Sequence, residues 1–207
     1  MVACPRSFLP RSPTRYMKKL LLLVVLLTLL SAVSTQAQKL KKTEWESGQI
    51  DKGEKIGVWE YYAYTRDGRQ VITQKYDHTA KKLLFFRDFD DVTYAVQKAS
   101  GDWSREHLTQ PPLFLGGDAA LSPFMSKLNY PTQAQSKNIQ GKVLVSFVVD
   151  TLGRAADHKV MLGIGGGCDE EALRVCRNIP NQWLPARIGS RAVVVRHELP
   201  FTFRLAQ

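Results

Sequence analysis

Apolar positions recur at every second residue through Val143, Val145, Phe147 and Val149, with Leu144, Ser146 and Val148 between them. Both faces are rich in β-branched residues, so this run predicts a central strand. Before it, Tyr130-Pro131 opens a stretch over 132–138 whose apolar positions, Ala134 and then Ile139, suit a short helix stopped by Gln140-Gly141. After it, Asp150-Thr151-Leu152-Gly153 carries an Asp to start a turn and a Gly for positive φ, which predicts a hairpin into a second strand through Lys159-Val160-Met161. Gly165, Gly166 and Gly167 then lead to Asp169, an expected N-cap, with Glu170 and Glu171 in the first helical turn. Ala172, Leu173, Cys176 and Ile179 share one face of that helix, and Pro180 stops it. Past a Trp183-Leu184-Pro185 corner, Ala192 to Leu205 forms the longest strand candidate. Pro200 lacks an N–H, so this strand is expected at an edge of the sheet.

A different pattern opens the chain. Met17-Lys18-Lys19 precedes an almost unbroken Leu and Val run from Leu20, then small and polar residues to Thr35-Gln36-Ala37, the layout of a secretory signal peptide cleaved after Ala37. The three prolines, three arginines and Cys4 upstream fit a true start at Met17. As a helix, Leu20 to Val33 spans about 21 Å against a hydrocarbon core of about 30 Å. Cleavage implies a periplasmic protein, and retention implies an inner-membrane anchor through Leu20–Val33. Between this segment and the C-terminal third, Gly53, Gly57, Trp59, Tyr61, Tyr62, Asp67-Gly68 and Tyr76-Asp77 set aromatics among turn residues at hairpin spacing, which predicts two or three short strands around a small aromatic core. The expected organisation is residues 1–37 as signal peptide, 38–110 as a β-rich region and linker, and 111–207 as a C-terminal domain.

The C-terminal third resembles the C-terminal domain of the TonB family. The positions that carry the resemblance are Tyr130-Pro131, Ala134, Ile139, Gly141, the strand from Val143 to Val149 with Asp150 and Gly153, Glu171-Ala172, Trp183-Leu184-Pro185, Gly189, and Leu199-Pro200-Phe201-Thr202-Phe203. Pro111 to Phe114 with Gly116-Gly117 is a lead-in similar to one subgroup of the family. The resemblance implies an α+β fold, a two-layer domain of two helices on a short antiparallel sheet, preceded here by a hairpin-rich region that resembles MORN-like repeats. It also implies partners. Outer-membrane TonB-dependent receptors would add their TonB box segment beside the last strand, in support of energy-coupled transport. The residues expected to bind are Tyr130 and Pro131 with Ala192, Val193, Val194, Val195, Arg196, His197, Glu198 and Leu199. Independently of family, an exposed edge strand offers unpaired backbone groups to an extended peptide, while Arg191, Arg196 and Arg204 could equally blunt the edge.

Two departures weaken the link to inner-membrane proton-motor proteins. No proline occurs between Pro13 and Pro111, and no histidine lies in Met17 to Ala37. A soluble periplasmic interaction or scaffold protein that uses the same fold without energy transduction is therefore the alternative. Residues 1–37 hold Arg6, Arg11, Arg15, Lys18 and Lys19 and no acid, so removing five positive charges takes the formal net charge from +10 to +5. The remaining charges are scattered, which argues against nucleic acid. Catalytic chemistry is not expected either. The Gly163 to Gly167 loop is followed by acids where a phosphate would sit, the histidines His78, His107, His158 and His197 lack metal-ligand spacing, and no nucleophile motif occurs. No cofactor, metal or small-molecule substrate is implied. Cys168 and Cys176, about 12 Å apart along a helix, are expected as free, buried thiols.

Overall fold

The computed structural model describes residues 39–87 and 92–205. The leader segment lies outside them, and so do its expected cleavage site and anchor. Lys39–Gln207 forms one compact unit. It contains two five-stranded antiparallel sheets of opposite construction.

The first sheet is a meander in chain order, β1 (Lys39–Lys42), β2 (Glu46–Asp51), β3 (Glu54–Tyr64), β4 (Gln70–Asp77) and β5 (Lys82–Phe86). Its strands outnumber the two or three expected. Trp59 and Tyr61, two apart on β3, point to the same face and are buried. Gly48 on β2 has no side chain because the Trp59 ring lies where a Cβ would be. The Trp59 indole N–H donates to the carbonyls of Gln49 at 3.1 Å and Ile56 at 3.2 Å, so its polar edge is satisfied inside the hairpin.

The second sheet runs in the order β10-β9-β14-β6-β7, from β6 (Thr93–Gln97), β7 (Trp103–His107), β9 (Gly141–Val149), β10 (Ala155–Leu162) and β14 (Val195–Phe203). β9 is the central strand of its half, as its pattern predicts, with Val143, Val145, Phe147 and Val149 all on the core face. The β9–β10 turn closes as expected. The Asp150 carboxylate accepts from the backbone of Leu152 and Arg154, and Gly153 sits at φ 78° with the Trp183 carbonyl against it, where a Cβ would collide. Helices α1 (Gly117–Met125), α2 (Thr132–Ser136) and α3 (Cys168–Arg177) follow in chain order. α3 buries Cys168, Ala172, Val175 and Cys176 in the main core.

Three expectations need correction. The helix after the glycines starts at Cys168 with Gly167 as its cap, so Asp169 lies inside the first turn. Its carboxylate instead accepts from Ile164 N–H at 2.8 Å and Gly165 N–H, which ties the preceding loop to the helix. The expected long strand from Ala192 is two strands. β13 (Arg191–Val193) turns back on β12 (Ala186–Ile188), and the chain breaks at Val194 before β14. Finally, β14 is interior, because β6 lies on the side away from β9. The second sheet therefore begins at Thr93, ahead of the expected domain start at residue 111.

The two sheets are joined through the lead-in. β8 (Leu113–Phe114) pairs with β11 (Trp183–Leu184), and Gln74 of β4 meets the residues that follow. Gln74 is 3% exposed, donates to the Phe114 carbonyl at 2.9 Å and accepts from Gly116 N–H at 3.0 Å. One amide thus satisfies two backbone groups across the seam.

Candidate interaction edge

β14 is held differently along its two halves. On one side it pairs with β9 without a break from Val195↔Val149 to Phe203↔Gly141. On the other, β6 reaches only Val195 and Arg196, opposite Val96 and Ala95. The Gln97 N–H donates to the Val194 carbonyl at 2.9 Å, which sets the parity of the strand. Because backbone groups alternate sides, Val194, Arg196, Glu198, Pro200 and Thr202 face the β6 side, and the odd-numbered residues face β9. Pro200 therefore removes no bond from the β9 ladder, which is why an interior strand tolerates it.

Among the described residues, no strand pairs with β14 on that side from Glu198 onward. Among the described residues, the groups without a partner strand there are the Glu198 and Thr202 N–H donors and the carbonyls of Glu198, Pro200 and Thr202. Of the residues expected to bind, Ala192 and Val193 belong to β13, the Val194 carbonyl is taken by Gln97, and Val195 and Arg196 are flanked on both sides. His197, Glu198 and Leu199 lie beyond the last β6 pairing. Tyr130 sits at the far end of the strand, edge-on to the Phe203 ring at 5.6 Å, with its hydroxyl donating to the Ile139 carbonyl at 2.6 Å. Pro131 precedes α2 and packs beside Gly167.

On the core face, a cleft of about 290 Å³ lies beside this half of β14, lined by Phe114, Leu121, Trp183, His197 and Leu199 with Tyr94 of β6. The His197 ring stands edge-on to Phe147 at 5.5 Å and Trp183 at 5.3 Å, and Tyr94 stacks on it at 6.3 Å. Burial in these rings pushes the imidazole down to about 4, so it is neutral at neutral pH.

A second cleft, about 460 Å³, separates the first sheet from the 181–184 corner and is lined by Glu46, Lys55, Tyr61, Tyr76 and His78 with Gln182. Its polar groups satisfy one another. The Tyr61 hydroxyl bonds His78 Nε2 at 2.7 Å, and Lys55 pairs with Glu46 while standing 4.2 Å over the Trp59 ring. Burial raises the Tyr61 phenol and lowers the His78 imidazole, so both are neutral. The Cys168 and Cys176 thiols are free and buried, and burial raises both, the second to about 12. Among the described residues no cluster could hold a metal ion, and no helix is long and apolar enough to cross a membrane.

Neither Gln74 nor the β6–β7 hairpin is among the residues singled out from sequence. The hairpin did carry a signal, Tyr94 and Val96 alternating ahead of Ser100-Gly101-Asp102, but that pattern does not name the strand it joins.

Residues 126–205 match the family model of the Gram-negative bacterial TonB protein C-terminal, and this part of the chain is a domain of that family. The matched span holds α2, β9, β10, α3 and β11 to β14. It leaves out the first sheet, β6, β7, β8 and α1. No curated protein and no solved structure matches the chain.

Proposed function

We propose that the C-terminal domain works in the periplasm, where it captures an extended segment of an outer-membrane TonB-dependent receptor by strand addition on the open half of β14 and supports energy-coupled transport. The observation that carries this reading is the row of backbone groups from Glu198 to Thr202 that face away from β9 with no partner strand among the described residues. Such a row binds an extended peptide through its main chain, and the adjoining cleft gives alternate side chains of that peptide an apolar seat. The test is a proline scan of this half. Glu198→Pro and Thr202→Pro remove outward donors, whereas Leu199→Pro removes a donor that faces Val145. A peptide from the periplasmic plug region of a candidate receptor is titrated against each variant, with folding checked by circular dichroism. The outward variants fold and lose the peptide, and Leu199→Pro unfolds the sheet. Parental affinity in a folded Glu198→Pro, Thr202→Pro double variant would overturn the proposal.

A further inference from the structure

The N-terminal half of β14 has an occupant whose grip is small. β6 meets β14 at two residue pairs, against nine between β14 and β9. Of the strand residues in β6 and β7, only Val96 is buried, at 5% exposure. Its other holds include the Gln97 N–H on the Val194 carbonyl, the Tyr94 ring over His197, and Arg196 4.6 Å over the Trp103 ring on the opposite face. This hairpin also lies outside the span that matches the family, whereas β14 and its ladder to β9 lie within it.

We propose that the edge of β14 from Val194 to Arg196 is a latent continuation of the docking surface, that the β6–β7 hairpin occupies it exchangeably, and that the sequence of β6 states the partner's pattern. That pattern is an aromatic residue opposite His197, a small one opposite Arg196 and a β-branched one opposite Val195, the places that Tyr94, Ala95 and Val96 fill. Tyr94 and Val96 share the core face, so a segment with this alternation repeats their burial, while a small residue leaves Arg196 room on the other face. Displacing the hairpin extends the open edge from the Glu198–Thr202 half to the whole strand. The inference rests on the strand-addition reading, but its probe is this chain's own sequence.

The probe is a labelled peptide copying residues 92–98, titrated against the full chain by fluorescence anisotropy. In Ala95→Cys with Arg196→Cys, two directly opposed positions can be bridged, since opposed antiparallel residues lie about 4.5–5.5 Å apart, within disulfide range. The oxidised lock loses the peptide, and reduction restores it. Val96→Asp puts a carboxylate where Val96 is buried and so expels the hairpin, which tightens binding about tenfold if the edge is free about a tenth of the time in the parent. Should Val96→Asp fail to fold, Trp103→Ala loosens the hairpin from the other face and tightens binding about threefold. Amide exchange on the unmodified protein shows Ala95 and Gln97 opening well before Val145 and Phe147. Undiminished binding by the oxidised lock, or β6 amides protected as strongly as those of β9, would overturn the proposal. If the copy peptide binds and receptor segments do not, the latent edge stands and the receptor reading falls.

Discussion

The two sheets have the same number of strands and reach that number in opposite ways. In the first, every strand pairs with its neighbour in sequence, and the hairpins bury Trp59 against Gly48 within the sheet itself. In the second, Val195 lies opposite Val96, about a hundred positions earlier, so the β14–β6 pairing closes only after a long loop is ordered. Local pairing makes the first sheet a self-contained layer. The non-local sheet depends on side chains where distant segments converge, and Trp183 is where they do, with its ring 5.2 Å from Phe114, 5.1 Å from Phe147 and 5.3 Å from His197.

The sharpest way to break this comparison is to remove each tryptophan. Trp59→Ala and Trp183→Ala each cost about 3–5 kcal/mol, the range for emptying a large buried aromatic site. The damage differs in reach. Trp183→Ala removes protection from amides of both sheets, because the lead-in that Gln74 holds packs on that ring through Phe114. Trp59→Ala exposes amides of β2 to β4 while those of β9 and β14 stay protected. Hydrogen exchange followed by mass spectrometry separates the outcomes, and equal loss in both sheets from Trp59→Ala would erase the distinction.

The seam offers a smaller perturbation. Gln74→Leu leaves the Phe114 carbonyl and the Gly116 N–H without their partner in a buried place, at a cost of about 2–3 kcal/mol. The urea midpoint falls accordingly. Gln74→Glu keeps the acceptor for Gly116 but not the donor to Phe114, so its midpoint lies between those of the parent and the Leu variant.

A half-buried histidine accompanies each sheet, and acid tells the two apart. His78 has a hydroxyl partner in Tyr61, whereas His197 is surrounded by rings. The folded-state value of His197, about 4, lies below its ordinary 6.5. As pH falls below 6.5 the unfolded chain takes up a proton that the folded chain refuses, so stability declines until about pH 4 and then levels. Discounted for partial exposure, the loss is on the order of 2 kcal/mol. His197→Phe flattens this part of the stability profile. The carboxylates Glu46, Glu60, Asp150 and Glu171, all held below their ordinary values by hydrogen bonds or cations, lose their contribution only as pH falls below about 4.5.

What the sequence made legible follows the same division. The alternation in β9, the Asp150–Gly153 turn and the apolar face of α3 are local signals, and the structure holds them where those signals place them. Burial of Trp59 was legible for the same reason. The partner of β14's second edge was not, because a period of two says which face of β6 is buried and nothing about which distant strand it joins. Pro200 misled in an instructive way. The proline rule concerns one side of a strand, and among the described residues that side has no partner strand beside Pro200 and is paired only at the other end. Gln74 gave no signal, since a polar residue in a half-buried strand looks the same whether it faces water or a carbonyl forty residues ahead.

The smallest expected effect concerns Asp169, where a cap was expected and a loop tie was found. Asp169→Ala leaves the N–H groups of Ile164 and Gly165 to water, which both can reach, so the loss is about 1 kcal/mol. Asp169→Asn separates the two roles of the carboxylate. An amide oxygen still accepts from the loop, but the charge that favours the positive end of α3 is gone. If the tie dominates, Asn recovers most of the melting temperature lost by Ala. If the charge at the helix start dominates, Asn melts with Ala, and added salt narrows the gap between parent and both variants. Unlike the tryptophans, neither substitution changes exchange in the first sheet, because the hydrogen bonds Asp169 accepts come from the segment between β10 and α3.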